Sequence, residues 1–244
     1  MTFWPIDCFK EKQILITGGT SGIGAGIAEA FLNDGANVTL TGATDHEVLT
    51  AKENLPRATC KQLDVRNAEQ INSIISDFDQ LDHVINCAGV IKRTEEHDPE
   101  TFSDVIDINL NGSMRICHAA RRKLSQSNGS IVNMASMLSY FGSGVAPAYA
   151  SSKGAIAQMT KSLAIAYADD GIRVNAIAPG WIKTPLTQSL QDDPEKYENI
   201  KNRTALKCWG NPSDIAGGVI YLCSPLANYI TGTILPIDGG YLAV

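Results

Sequence analysis

The chain carries six cysteines, and no two of them form a CxxC pair. Cys8, Cys60, Cys87, Cys117, Cys208 and Cys223 stand singly, several in apolar surroundings where a free thiol behaves as a small hydrophobe. A chain of 244 residues buries a core large enough to fold without staples, so no disulfide is expected. The histidines, His46, His83, His97 and His118, share no metal-ligand spacing with one another or with the cysteines, and no bound metal is expected. No apolar run approaches the ~20 residues of a bilayer span. The first residues show no basic stretch followed by an apolar one, so no secretory leader is expected. Cations are in deficit, 20 Lys and Arg against 26 Asp and Glu, which argues against nucleic acid as the main partner. These absences describe a soluble, cytoplasmic chain whose partners are neither membrane nor nucleic acid.

Short β-rich runs alternate with helical stretches over the whole length. The candidate strands are Ile14–Thr17, Asn37–Thr41, Thr59–Leu63, His83–Asn86, Ser130–Met134, Arg173–Ile177 and Thr233–Pro236. Most are continuous apolar runs, the pattern of parallel strands covered on both faces. Candidate helices separate them at Ile23–Asn33, Glu69–Asp77, Pro99–Lys123, Ser152–Asp169 and Pro212–Leu222. This βα alternation predicts an α/β fold, one doubly wound parallel sheet within a single domain over residues 1–244. The stretch Ser152–Asp169 is apolar or small around most of its circumference, which calls for a second burial partner such as another subunit. Residues 185–209 are polar and follow a strand exit at Pro179-Gly180-Trp181, the position of a substrate lid.

Two segments carry chemistry. Thr17-Gly-Gly-Thr-Ser-Gly-Ile-Gly24 is a glycine-rich turn between a strand and a helix, where Gly18, Ser21, Gly22, Ile23 and Gly24 would receive a pyrophosphate at a helix N-terminus. Gly18 and Gly22 permit backbone conformations a side chain forbids, and Gly24 permits close helix–strand approach. Tyr149-Ala-Ser-Ser-Lys153 places a phenol and an ammonium on one helical face. The ammonium would lower the phenol pKa toward neutrality, making Tyr149 a proton donor or acceptor. Ser136, just past a strand end, can hydrogen-bond the substrate oxygen where charge develops. Asn86-Cys-Ala-Gly89 ends another strand, where Asn86, Ala88 and Gly89 would lie against an adenosine or ribose. Asp64, with Val65 beside it, can accept from an adenine amino group.

TGGTSGIG from Thr17, NCAG from Asn86, Ser136, YASSK from Tyr149 and PG at Pro179-Gly180 stand in an order that resembles the short-chain dehydrogenase/reductase family. The resemblance covers essentially the whole chain, through Asp238-Gly-Gly240. It implies a Rossmann-type sheet of about seven parallel strands and a hydride transfer between a nicotinamide and a carbonyl or alcohol. It also implies that Asn109 in DINLNG is a fourth catalytic residue, holding a water beside the lysine, and that Lys153 bonds the nicotinamide ribose. Pro179, Gly180, Ile182 and Thr184 then line the nicotinamide end. Cys87 stands where many relatives have a second asparagine. The resemblance further implies a homotetramer, built on the pair of helices flanking the catalytic strand and on the C-terminal strand, with a dimer as the fallback.

The end of the second candidate strand, Thr41-Gly42-Ala43-Thr44, has neither the aspartate common in NAD-preferring relatives nor the basic residue common in NADP-preferring ones. A 2′-phosphate would lack a charged partner there, which tilts the expectation from NADP(H) to NAD(H). Three functions compete. The segment Ala135-Ser-Met-Leu-Ser-Tyr-Phe-Gly142 is similar to that of ketogluconate and deoxygluconate dehydrogenases and favours a sugar, sugar acid or polyol as substrate. A 3-oxoacyl thioester reductase would need a basic docking face for an acidic carrier, and Asp169-Asp170 opposes one, although Arg121-Arg122-Lys123 could compensate. A dinucleotide-sensing binding protein would lack part of the catalytic set, which is complete here.

Overall fold

The computed structural model describes residues 7–244. The expectation of no leader rests mainly on positions 1–6, which lie outside the described residues. Seven strands form one parallel sheet in the order β3-β2-β1-β4-β5-β6-β7: β1 Gln13–Thr17, β2 Asn37–Gly42, β3 Thr59–Gln62, β4 His83–Asn86, β5 Ser130–Met134, β6 Arg173–Pro179 and β7 Ile234–Ile237. The helices are α1 Gly22–Asn33, α2 Asp45–Asn54, α3 Ala68–Ser76, α4 Pro99–Ile106, α5 Gly112–Ser125, α6 Pro147–Ala166, α7 Gln188–Gln191, α8 Pro194–Arg203 and α9 Pro212–Cys223.

Side chains of a strand alternate between its two faces, and here both faces are covered. Ile14 and Ile16 of β1 join Ile27, Phe31, Ile215 and Val219 in the core under α1 and α9. Leu15, between them, packs with Val84, Ile131, Val174 and the apolar sides of α3, α5 and α6. This two-sided burial explains why the central strands read as unbroken apolar runs. The chain winds outward from β1 to β3 and then crosses to β4 on the other side of β1. The connections after β1 and β4 therefore diverge and open a crevice at the carboxyl ends of the strands.

Three helical expectations need correction. The helix α2 has no apolar periodicity to mark it in the sequence, because it is mostly polar and buries only Val48 and Ala51. The stretch expected as one helix over Pro99–Lys123 is interrupted by a π turn at Asp107–Asn111, which separates α4 from α5. Such a turn inserts a residue into the helical ladder and often marks a functional position. The third, α6, starts at Pro147 rather than Ser152. Proline suits a first helical position because its missing N–H would have no helical partner, and Tyr149 thus lies inside the first turn. Outward positions of α6 include polar Gln158, Lys161 and Ser162 beside exposed Ile165, so its apolar character is not continuous.

Candidate active site

The crevice at the carboxyl ends of the strands is a cavity of about 410 Å³. Its floor is the β1–α1 turn. Gly18 and Gly22 have φ of 62° and 53°, the left-handed region that disfavours side chains. A Cβ on Gly18 would lie 2.7 Å from the backbone of Ala88, and one on Gly24 would lie 2.3 Å from the Gly18 carbonyl oxygen. The Ser21 side chain makes no cap hydrogen bond, and the first turn of α1 has no acidic residue. Its amides are left for an anion, with the helix dipole behind them. The cavity runs past this turn in both directions, so its shape suits a dinucleotide with its pyrophosphate over the N-terminus of α1.

One end is bounded by Gly42, Ala43, Glu47, Asp64, Val65 and Arg66. Arg66 is engaged by acids: Nε and Nη2 donate to Asp64, and Nη1 donates to Asp104 at 2.7 Å. This pairing holds the Asp64 carboxyl below the usual aspartate range, the hydrogen bond from Arg66 outweighing partial burial.

At the other end, Ser136, Tyr149 and Lys153 face the cavity together with Arg93, Trp181 and Leu186. Ser136 caps a short 3-10 turn after β5, its Oγ accepting from the Leu138 amide at 3.1 Å. Lys153 is buried, and Nζ donates to the Met134 carbonyl at 2.7 Å while standing 5.4 Å from the centre of the Tyr149 ring. Burial lowers its pKa to about 8. The expectation of a phenol lowered by the ammonium is corrected here. Burial raises the Tyr149 pKa, and the Ser136 hydrogen bond and the Arg93 charge only partly offset it. Tyr149 is thus a protonated acid near neutral pH.

Of the expected site residues, Gly18, Ser21, Gly22, Ile23, Gly24, Asp64, Val65, Ala88, Gly89, Ser136, Tyr149, Lys153, Pro179, Gly180, Ile182 and Thr184 border this one cavity. Two do not. Asn86 is buried, its Nδ2 donating to Asn133 Oδ1 at 2.9 Å, because its side chain turns back between β4 and β5 rather than outward. Asn109 sits at the π turn, fully buried. Its Oδ1 accepts from the Val90 amide at 2.8 Å, and its Nδ2 donates to the Val90 carbonyl and to Ser152 Oγ. Asn109 nevertheless adjoins the site, since a Cβ on Gly89 would approach both Asn109 Oδ1, at 3.2 Å, and Lys153 Nζ, at 3.7 Å.

Sequence reading passed over four residues. Glu47, Arg66 and Arg93 line the cavity. Glu96, 1% exposed, accepts from the amides of Lys92 and Tyr149, each at 2.8 Å. Only Glu47 left a local signal, a Thr44-x-x-Glu47 capping box. The others carry no motif, and their distant partners, Asp104 for Arg66, Leu186 for Arg93 and Tyr149 for Glu96, are met only in the fold.

A family model described as enoyl-(acyl carrier protein) reductase matches residues 18–242. Over 243 residues the chain is 38% identical to 2-dehydro-3-deoxy-D-gluconate 5-dehydrogenase of Bacillus subtilis, with 96% of each chain covered. Over 241 residues it is 34% identical to galactitol 2-dehydrogenase (L-tagatose-forming) of Cereibacter sphaeroides, with 93% of each covered. Among solved structures, ElxO with NADP bound superposes with a TM-score of 0.88 at 32% identity, covering 96% of this chain and 100% of that one. The chain belongs to the short-chain dehydrogenase/reductase family and is an NAD(P)-dependent oxidoreductase of CH–OH and C=O groups.

Proposed function

We propose that this short-chain dehydrogenase/reductase interconverts a secondary alcohol and a ketone on a sugar acid or polyol, with NAD(H) preferred. The observation that carries the substrate class is Arg93. Its guanidinium is half-buried in the cavity beside Tyr149, donates one hydrogen bond to the Leu186 carbonyl, and belongs to none of the ion pairs among the described residues. A half-buried cation whose nearby carboxylate, Glu96, is already taken up by two backbone amides is better satisfied when a ligand brings another. The carboxylate of a sugar acid would meet that need a short way from the reacting carbon. Relatives named for a deoxygluconate and for galactitol support the same class.

When bound, the nicotinamide supplies or accepts the hydride. Tyr149 gives its proton to the substrate carbonyl oxygen in reduction and takes it back in oxidation. Ser136 donates a hydrogen bond to the same oxygen. Lys153, with a pKa near 8, is poised to exchange protons close to neutrality, and its neighbour across Gly89, Asn109, is placed to hold a water for that exchange. Residues 185–209 act as a lid: Pro185, Leu186 and Thr187 border the cavity, while Tyr197 stacks on Trp209 at 5.3 Å to brace α8. The exposed Ile165 on α6 and the half-exposed β7 support a homotetramer, and no helix among the described residues is long and apolar enough to cross a membrane.

For a 3-oxoacyl thioester reductase, the compensating cation Arg121 would have to be free. It pairs instead with Asp170 and lies over the Tyr167 ring, which favours the sugar-acid reading. A panel of ketogluconates, polyols and an acetoacetyl thioester, followed by reduced-nicotinamide absorbance, tests the proposal. Arg93→Met should raise KM for sugar acids by at least ~10-fold, the loss of one charge-assisted pair, and leave KM for neutral polyols nearly unchanged. Preference for the thioester over every ketogluconate would overturn the substrate class.

A further inference from the structure

We propose that Glu47 is the residue by which this protein selects NAD(H) over NADP(H), its carboxylate occupying the amide pair that a 2′-phosphate would need. The inference rests on the dinucleotide reading of the cavity and names the group that sets its cofactor preference.

At the end of β2, where an acidic residue could meet the ribose hydroxyls, the chain has Gly42 followed by Ala43 and therefore no polar side chain to offer. The next helix supplies one. Glu47 occupies the third position of α2 and reaches back in a capping box, its amide donating to Thr44 Oγ1 at 3.2 Å. Its Oε2 accepts from the Ala43 amide at 2.6 Å and from the Thr44 amide at 3.2 Å. A carboxylate thus sits on two adjacent N–H donors at the cavity wall. It also adjoins the glycine turn, since a Cβ on Gly42 would meet Glu47 Oε2 at 3.0 Å and Thr20 Cγ2 at 2.8 Å.

The local charges favour the same outcome. The cations bordering the cavity are Arg66, Arg93 and Lys153. Lys153 and Arg93 belong to the Tyr149 end. Arg66 lines the cavity together with Glu47, and Asp64 and Asp104 already hold it through Nε, Nη1 and Nη2. A dianionic 2′-phosphate would have to displace Glu47 from its amides or lie against it, and the cation that lines this end of the cavity, Arg66, is already paired. A ribose bearing two hydroxyls instead finds an acceptor already oriented for O–H donation. The helix-capping role fixes the carboxylate in place, so local folding and cofactor choice use the same two hydrogen bonds.

Glu47→Gln separates the two roles, because glutamine also completes a capping box but carries no charge. Isothermal titration of the whole protein with NAD+ and with NADP+, in the absence of substrate, reads the selection without turnover. Wild type should bind NAD+ more tightly. Glu47→Gln should shift the affinity ratio toward NADP+ by at least ~10-fold, mostly by tighter NADP+ binding. Raising salt should weaken the wild-type preference, since the charge is exposed, and leave the variant's ratio level. Circular dichroism confirms that the variant keeps its fold, and Glu47→Ala, which removes charge and cap together, should shift the ratio in the same direction. A ratio unchanged in both variants, or a wild type that prefers NADP+, overturns the assignment to Glu47 while the oxidoreductase reading stands. Failure of wild type to bind either dinucleotide overturns both.

Discussion

Removing the Glu96 carboxylate should loosen the Tyr149 end of the cavity more than any other single change outside the cavity lining. The helix α6 opens on Ala146-Pro147, so its N-cap residue has no side-chain acceptor and its first position has no N–H. Glu96, from the loop after β4, replaces the missing cap by accepting from the Tyr149 amide, while its other oxygen accepts from Lys92. The same loop is tied to the start of α6 by the Thr94 amide to the Val145 carbonyl at 2.7 Å and by His97 to the Gly144 carbonyl. Thr94 has a φ of 67°, a strained value for a β-branched residue, which the surrounding bonds must hold. Glu96→Ala leaves two amides without their acceptor, at about 1–3 kcal/mol each when buried. Solvent reaching the enlarged space would reduce that, so about 3 kcal/mol in total is expected, a fall in melting temperature of about 6–12 °C for a chain of this size. Glu96→Gln should lose roughly half as much, because its amide oxygen can serve one N–H while its NH2 group confronts the other. Calorimetry gives the stability, and kcat against KM for the best substrate gives the positioning effect. In Glu96→Gln at a temperature where it is fully folded, kcat should fall while dinucleotide affinity holds. Wild-type stability for Glu96→Ala would show that the carboxylate does not carry these amides, and the reasoning would fail.

Tyr149→Phe keeps the ring and removes the transferable proton, so turnover should fall by at least ~100-fold with dinucleotide affinity little changed; near-normal turnover would refute the proposed acid–base role. Acid stability should depend on His83, which is buried between Phe9, Phe31 and Ser130 and whose pKa burial depresses to about 3. Between about pH 3 and the unfolded value near 6.5 the unfolded chain binds a proton that the folded chain refuses, so stability declines as pH falls through that window. Chemical denaturation at pH 7 and pH 5 should show a drop that His83→Gln lessens, and an unchanged drop would exclude His83 as its source. Light scattering at micromolar protein should give a multiple of 26.2 kDa, a tetramer or at least a dimer, and a monomer mass would refute the proposed assembly.

How much was legible in the sequence follows from how local each signal is. All seven strands stand within a residue or two of where the sequence placed them, and most are legible because burial on both faces makes them continuous apolar runs. Polar α2 escaped because it buries only two residues and declares itself through a cap. The π turn at Asp107–Asn111 escaped because it changes the ladder without changing the apolar pattern of either flanking helix. Site residues follow the same rule. The glycine turn is recognisable because adjacent residues impose its close approaches, and Tyr149 with Lys153 because one helical turn sets their spacing.

What could not be read is the part of the site assembled across the sheet. Glu96 and Tyr149 are 53 residues apart, and Arg93 and Leu186 are 93 apart. Each pair meets only because β4 and β5 are neighbours and the segment after β6 returns to the loop that carries Arg93. The lowered phenol pKa inferred from spacing fails for the same reason: spacing reports that an ammonium is near, not that both groups are buried. Burial disfavours the charged form of each, raising Tyr149 and lowering Lys153 toward 8, so the two pKa values move toward protonated phenol and neutral amine together. A fully negative phenolate would therefore need charge from outside the pair, and Arg93 is the group positioned to give it. The same guanidinium proposed to hold a substrate carboxylate also favours the phenolate of Tyr149. Binding of an acid at Arg93 should then raise the phenol pKa further and strengthen its preference for donating a proton. The pH profile of reduction should accordingly extend to higher pH for a keto acid than for a neutral ketone, and this difference should vanish in Arg93→Met.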